Sequence, residues 1–344
     1  MDIPTYFADF LQSIRPTDDQ RNALKNGHTL LRERLNDYEP LKPAIVTTFL
    51  QGSYRRSTAL QPAPKQRSDV DIVVVTRLHE DEYTPAQALD LFEPFMKKYY
   101  KETYRMQGRS IGIHQKHVDL DLVVTSAPPE SVMGILPGEI DESIEEEPAV
   151  VQLKEAVQIA VWKTAALRIP NRDVMLWEDT HPLVQLEWTR KKNATTNGHF
   201  VNVVKAIKWW RYAQHPDFGQ PKSYPLERII AECCPDGICT VAEGVTKSLE
   251  AIVARYGSGK PILLGHGAVT DVLHRVTVTD FVQFYELATA AAKLARRALS
   301  LEDFDGSAEL WGELFGDKFP KPPSKDDDDG PKGGFTPREG PSKP

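Results

Sequence analysis

The sequence predicts an α/β (α+β) protein in which a sheet-bearing first half is followed by a helical second half. Three observations carry that reading. Short runs of β-branched and apolar residues recur at 45–51, 69–76 and 117–125, separated by a loop and then by a helical segment. From His181 onward the apolar residues recur at helical spacing instead. The 344 residues, 40% of them hydrophobic, suffice for two domains with a core each.

In chain order, residues 1–42 read as helical. Leu24, Leu30, Leu31 and Leu35 recur at helical spacing among charges, and Pro16-Thr17-Asp18-Asp19 reads as a helix start. Residues 45–51 (IVTTFLQ) form a strand stopped at Gly52, and a Pro-rich, basic loop runs from Tyr54 to Arg67. Residues 69–76 (DVDIVVVT) are apolar on both faces after the leading carboxylates, so this strand lies inside a sheet. Residues 85–99 read as a helix and 117–125 (HVDLDLVVT) as a second buried strand. The acidic, Pro-rich stretch from Ala127 to about Pro148 reads as a long surface loop. Helical periodicity returns at 182–191, 199–214, 224–234, 241–256 and 279–300. Residues 321–344, with the acid run Asp326–Asp329, hold too few apolar side chains to join a core and read as a disordered tail. The expected division is a core over 1–180 with an N-terminal helix, a helical lobe over 181–320 and a tail over 321–344. A cleft between two such lobes is a common site for a small molecule.

Composition excludes several functions. A net charge of −7 and a pI near 5.8 argue against a broad surface for long nucleic acid, which needs a basic stripe. Mean hydropathy is −0.42, and no apolar run approaches the ~18 residues of a membrane span. The segment MDIPTYFADF lacks the basic start of a secretory signal. Three cysteines, two of them adjacent (Cys233, Cys234 and Cys239), make neither a disulfide framework nor a four-ligand zinc site, and read as packing residues. A cytoplasmic monomer with no membrane partner is expected.

The chemistry lies in the acids. Residues i and i+2 of a strand share a face, so Asp69 and Asp71 project side by side. Alone, such a pair reads as a solvated strand end. Asp119 and Asp121 repeat the spacing on the later strand. If the two strands are neighbours, three carboxylates meet, as a two-metal phosphoryl transferase requires. Gln51-Gly52-Ser53 adds a Gly-Ser turn whose N–H groups and hydroxyl suit an anion, and Arg55, Arg56, Ser57 and Thr58 follow. His114 and His117 read as polar strand neighbours, and Trp209 and Trp210 as lobe core.

This order of a Gly-Ser turn, an Asp-x-Asp strand and a later acidic strand resembles the nucleotidyltransferase superfamily related to DNA polymerase beta. The strings FLQGSYRRST, SDVDIVVVT, VDLDLVVTSAP, WEDTHPL, NGHFVNVVKAIKWWR and KSYPLE are more closely similar to the bacterial cyclic oligonucleotide synthases. These are the cGAS/DncV-like nucleotidyltransferases (CD-NTases) of CBASS antiphage systems, and the likeness is to their clade D, which includes a cyclic AMP-AMP-GMP synthase. It runs from about Pro16 to Pro320. The resemblance implies a polymerase-beta-like core joined to a C-terminal helical lobe, with the active site in the cleft between them. It implies that Asp69 and Asp71 bind two Mg²⁺ ions, with Mn²⁺ as a substitute, and that Asp121 is the third carboxylate, with Asp119 in reserve. It further implies that Gln51, Gly52, Ser53 and Arg55 hold the donor triphosphate, that Lys208 contacts it with Lys205 one turn away, and that at Ser223-Tyr224 the tyrosine ring stacks on the donor base.

The implied substrates are ATP and other NTPs, GTP among them, and the implied product is an adenosine-rich cyclic trinucleotide. The implied partners are CBASS regulatory proteins, either peptide-binding or ubiquitin-transfer-like. A terminal nucleotidyltransferase acting on RNA, a small molecule or a protein shares the same acid core and is the alternative. A nucleotide-sensing module without activity is disfavoured, because every acid position and the Gly-Ser turn are intact.

Overall fold

A computed structural model describes residues 1–63, 66–128, 166–257, 259–267 and 270–322. The acidic stretch beyond Pro128 and the tail beyond Pro322 lie outside the described residues.

The first helical stretch is two helices, α1 (Pro4–Ile14) and α2 (Asp18–Asn36). Pro16 forces the break, because the residue before a proline is driven to extended backbone and Arg15 adopts φ −76°, ψ 154°. Thr17 then starts α2 with a reciprocal cap: its hydroxyl accepts from the Gln20 N–H at 3.3 Å, and the Gln20 side chain accepts from the Thr17 N–H at 2.9 Å. Next come β1 (Ile45–Gln51), the single turn α3 (Gly52–Arg55) and β2 (Ser68–Thr76). The helix expected over 85–99 is split into α4 (Pro85–Asp90) and α5 (Glu93–Tyr99). Pro94 has no N–H to give to the carbonyl one turn back, so a continuous helix would lose that bond.

Strands β3 (Tyr104–Met106), β4 (Ile111–His114) and β5 (Val118–Ser126) follow, then the hairpin β6 (Leu167–Asn171) and β7 (Leu176–Thr180). The sheet order is β1-β2-β5-β4-β3, with β6 meeting the end of β5. Every pairing is antiparallel except β2 with β5, which run parallel in register from Ser68↔Val118 to Thr76↔Ser126. This parallel pair is buried on both faces, as its continuous apolar run requires. Val70, Ile72, Val74, Leu120 and Leu122 pack under Leu24, Leu31 and Leu35 of α2. Phe49, Val73, Val75, Val123 and Leu167 fill the other face. The acids at 69, 71, 119 and 121 belong to that second face, and a one-residue slip in register would turn them into the helix-covered core.

The second half holds α6 (Pro182–Thr195), α7 (Phe200–Gln214), α8 (Ser223–Cys233), α9 (Val241–Tyr256), α10 (Val278–Ser300) and α11 (Phe304–Phe315). All but α11 match expected segments within a few residues. One expectation is corrected. The N-terminal helix does not join the sheet domain: Phe7, Phe10, Leu11 and Ile14 of α1 are buried in the helical core with Val204, Trp311 and Phe315. Phe10 stacks on Phe315 at 4.4 Å and Phe7 meets Trp311 edge-on at 4.9 Å. Such aromatic pairs contribute about 0.5–1.5 kcal/mol each beyond their burial. Cys233, Cys234 and Trp210 are buried in the same core.

Candidate active site

The acid cluster is built by the parallel register. Asp69 is the strand neighbour of Asp119 and Asp71 of Asp121, so four carboxylates share one face of two adjacent strands. Burial first, and then the charges of Asp69 and Asp121, raise the pKa of Asp71 to about 7, with Arg56 offsetting part of the rise. Asp69 is raised chiefly by burial and less by Asp119, with Lys208 opposing. Its carboxylate is open to water at the cleft mouth, yet most of its surroundings are protein, and that displaced solvent accounts for the rise. Asp121 is raised by burial and by Asp69, with a Ser110 hydrogen bond opposing.

The two acids of β5 differ in company. Asp119 is held by Arg67 Nε at 2.8 Å and His114 Nδ1 at 3.0 Å. Among the described residues, the side-chain hydrogen bonds to Asp121 come from neutral groups, Gln107 Nε2 at 3.3 Å and Ser110 Oγ at 3.4 Å. Carboxylate oxygens are the donors a hard divalent cation takes, so these residue types suit Mg²⁺ or Mn²⁺, although no three acids or histidines among the described residues are arranged to hold an ion as they stand.

Gly52 forms the floor. Its φ is +78°, and a Cβ there would lie 1.8 Å from Asp71 Oδ2. The turn after β1 thus closes directly on the Asp71 carboxylate, and only glycine allows that approach. Gly52→Ala leaves a folded protein, because the Asp71 side chain can rotate away, but it displaces the carboxylate. We expect at least a ~100-fold loss of pyrophosphate release, in line with the cost of ångström-scale misplacement. Near-wild-type release from a folded Gly52→Ala protein would contradict it.

Across the cleft stands the helical half. Lys208, Arg211 and Tyr212 of α7 and Ser223 of α8 face Ser53, Ser68 and Asp69 across an open cleft. Of the expected residues, Ser53, Asp69, Lys208 and Ser223 line this cleft, and Gly52, Asp71 and Asp121 lie against its acid wall. Gln51, Arg55, Lys205 and Tyr224 do not line it. Lys205 is buried in α7, and the Tyr224 ring lies under the Arg56 guanidinium at 5.4 Å.

Lys208 is only 5% exposed. Its Nζ donates to the Thr58 carbonyl at 2.9 Å and to Glu227 Oε1 at 2.8 Å. Glu227, 7% exposed, also accepts from Thr58 Oγ1 at 3.0 Å and from Arg56 Nε and Nη2 at 3.2 and 3.1 Å. Burial alone would raise the Glu227 pKa; Lys208 and Arg56 outweigh it and hold the carboxyl below its usual range. Arg56, which follows the Gly-Ser turn in the sequence, is therefore engaged by Glu227. Sequence reasoning passed over Glu227, though a signal existed: in PLERII an acid interrupts the stripe Leu226, Ile229 and Ile230, all fully buried. It also passed over Gln107 and Ser110, for which no local signal exists.

Comparison with known proteins bears on this geometry. Residues 1–125 match the Second Messenger Oligonucleotide or Dinucleotide Synthetase domain. Over 382 aligned residues the chain is 41% identical to the cyclic AMP-AMP-GMP synthase of Enterobacter hormaechei subsp. hoffmannii (strain UCI 50), covering 100% of this chain and 98% of that protein. The chain belongs to the CD-NTase family. Its fold agrees with solved members. The Bradyrhizobium diazoefficiens CD-NTase CdnG, solved in complex with GTP, superposes with a TM-score of 0.65 at 14% identity, covering 91% of this chain and 95% of that one. Escherichia coli MS115-1 CdnC, solved in a complex with HORMA-deltaN, gives 0.63 at 14% identity, covering 92% and 98%. This CD-NTase is thus a polymerase-beta-like nucleotidyltransferase with a C-terminal helical lobe, of the kind that synthesises oligonucleotide second messengers. Enzymes of this family generally use divalent metals. No helix among the described residues is long and apolar enough to cross a membrane.

Proposed function

We propose that this CD-NTase makes an adenosine-rich cyclic trinucleotide, cyclic AMP-AMP-GMP, from ATP and GTP, in cytoplasmic antiphage signalling. The observation that carries the reading is the junction of Asp69, Asp71 and Asp121 on paired strands, closed by Gly52 and faced by Lys208 across the cleft. The 41%-identical relative bearing that product's name supports the choice of bases.

Asp69, Asp71 and Asp121 would hold two Mg²⁺ ions, which would supply charge neutralisation on the triphosphate and lower the pKa of the attacking hydroxyl. The donor triphosphate lies between Ser53 on the core and Lys208 and Ser223 on the lobe. A ribose hydroxyl of the acceptor attacks the α-phosphorus in line, a P–O bond forms, and the bond to pyrophosphate breaks. The hydroxyl proton passes to a carboxylate of the cluster. Asp119 stays with Arg67 and His114. Positioning and charge neutralisation do most of the catalysis. The linear intermediate re-docks and a last transfer closes the ring. A regulatory protein controls the activity, as the HORMA complex of the E. coli neighbour suggests by analogy.

Incubation with all four NTPs and Mg²⁺, phosphatase treatment and mass spectrometry test the reading. A phosphatase-resistant product with the mass of two AMP and one GMP units is expected. Transfer only to an added RNA, protein or small molecule would replace this reading with a terminal nucleotidyltransferase. Asp121→Asn is expected to lose at least ~100-fold in product and Asp119→Asn less than tenfold, following the cost of one lost transition-state contact. The reverse ranking would make Asp119 the third carboxylate.

A further inference from the structure

The short hairpin of β3 and β4 touches the acid cluster from the side opposite Gly52. Strand β4 pairs with β5 so that Gly112 stands across from Asp121 and His114 across from Asp119. The connecting turn is pinned by the Gln107 N–H donating to the Ser110 carbonyl at 2.9 Å. From that turn Gln107 reaches back over the strand. Its Nε2 donates to Asp121 Oδ1 at 3.3 Å, and its Oε1 accepts from Ser110 Oγ at 3.1 Å. The same serine oxygen stands 3.4 Å from Asp121 Oδ1.

Gly112 makes this reach possible. A Cβ at 112 would lie 2.4 Å from Gln107 Nε2 and 3.5 Å from Asp121 Oδ1. The glycine is buried in a regular strand, so the requirement comes from the amide that crosses above it. The cluster is therefore sorted. The outer acid, Asp119, is matched by cationic groups, whereas the inner acid, Asp121, is oriented by neutral ones that leave its charge in place. Both side-chain hydrogen bonds to Asp121 among the described residues fall on Oδ1.

We propose that Gln107, seated by Gly112 and Ser110, is a positioning residue that fixes Asp121 through Oδ1 and so prepares it as a ligand for a divalent cation. The inference rests on the reading of Asp121 as the third metal-binding carboxylate. A neutral donor suits that role. An arginine in this place would compete with the cation for the carboxylate charge, and an apolar residue would leave the rotamer free. Groups that orient a metal ligand typically contribute about 10–100-fold in metal affinity or activity.

The test uses the whole protein without nucleotide. Mn²⁺ binding is measured by titration calorimetry for wild type, Gln107→Ala, Gly112→Ala, the double variant and Asp121→Asn, beside thermal melts and kcat and KM for ATP. Gln107→Ala and Gly112→Ala are each expected to weaken Mn²⁺ binding about tenfold. Their melting temperatures should match wild type, and the activity loss should fall on kcat rather than on KM. The double variant should be no worse than Gln107→Ala, because Gly112→Ala acts by displacing that one side chain. Wild-type Mn²⁺ affinity in Gln107→Ala, or additive losses in the double variant, would overturn the proposal. A merely structural role would lower the melting temperature and leave the affinity intact, which also overturns it. Asp121→Asn separates the two levels: if it binds Mn²⁺ as wild type does, the reading of Asp121 as a ligand fails and the proposal fails with it. If Asp121→Asn loses affinity while Gln107→Ala does not, only the proposal fails.

Discussion

Replacing Asp69 and Asp71 together by asparagine is expected to abolish product formation, more than ~1,000-fold by the cost of removing electrostatic contacts at a reacting phosphate, while the metal-free protein becomes more stable. The two halves of that expectation come from the same crowding. The Asp71 carboxyl is raised to about 7 by burial and by its neighbours Asp69 and Asp121, so without a cation its ionised form is a source of instability. A carboxyl whose pKa is higher in the folded than in the unfolded chain makes the folded state bind the proton more tightly. Its contribution to stability then falls as pH rises from about 4 to about 7 and stays at its lowest above that. Asparagine cannot ionise and removes the penalty. At pH ~8 without metal, the double variant should melt about 1–2 °C above wild type, the shift that ~1 kcal/mol produces at ~2.1 cal/mol/K of unfolding entropy per residue. At pH ~5 the gap should close. Saturating Mg²⁺ should stabilise wild type and leave the variant where it was. Scanning fluorimetry over that pH range, beside mass spectrometry of the product, gives both readouts. Normal product from the double variant would remove Asp69 and Asp71 from the chemistry; a variant less stable than wild type at pH ~8 would mean the cluster is already compensated.

The strands that carry these acids are readable because DVDIVVVT and HVDLDLVVT are short β-branched runs, apolar over 72–75 and 122–124, as a strand buried on both faces requires. The capped start of α2 is readable for a local reason too, since Thr17 and Gln20 are three residues apart. That β2 and β5 are parallel neighbours, with Asp71 beside Asp121, is a long-range fact that no local pattern encodes. The choice between Asp119 and Asp121 is equally hidden. It depends on Arg67, from the loop before β2, and on Gln107, whose reach depends on an absent methyl at Gly112. The place of the N-terminal helix is hidden for a related reason. Neighbours in sequence need not share a core, and Phe7 and Phe10 find their aromatic partners some 300 residues away.

The ion cluster around Glu227 carries the second large effect, because it joins the two halves of the molecule at the cleft. Arg56 and Thr58 come from the segment after α3, Lys208 from α7 and Glu227 from α8. One buried carboxylate thus faces two buried cations, and the cluster holds a net charge of +1. Glu227→Ala removes the one carboxylate hydrogen-bonded to both cations, leaving only Asp69 and Asp71 across the cleft to offset them, and raises the charge of the cluster to +2; Lys208→Met leaves Glu227 paired with Arg56 and brings it to zero. Removing one partner of a buried ion pair costs about 3–5 kcal/mol when the other charge is stranded. Glu227→Ala should incur that full loss in urea or thermal unfolding, and Lys208→Met should lose distinctly less. The stranded cations also change what a nucleotide does. A triphosphate bound in the cleft beside Lys208 brings the anion that Glu227→Ala lacks, so a non-hydrolysable ATP analogue should raise the melting temperature of Glu227→Ala more than that of wild type. Lys208→Met should show the smallest ligand shift of the three, because it removes the cation that lines the cleft. Equal destabilisation by the two substitutions would mean that solvent enters the cluster and screens it. Equal ligand shifts in all three proteins would mean that the triphosphate does not approach Lys208.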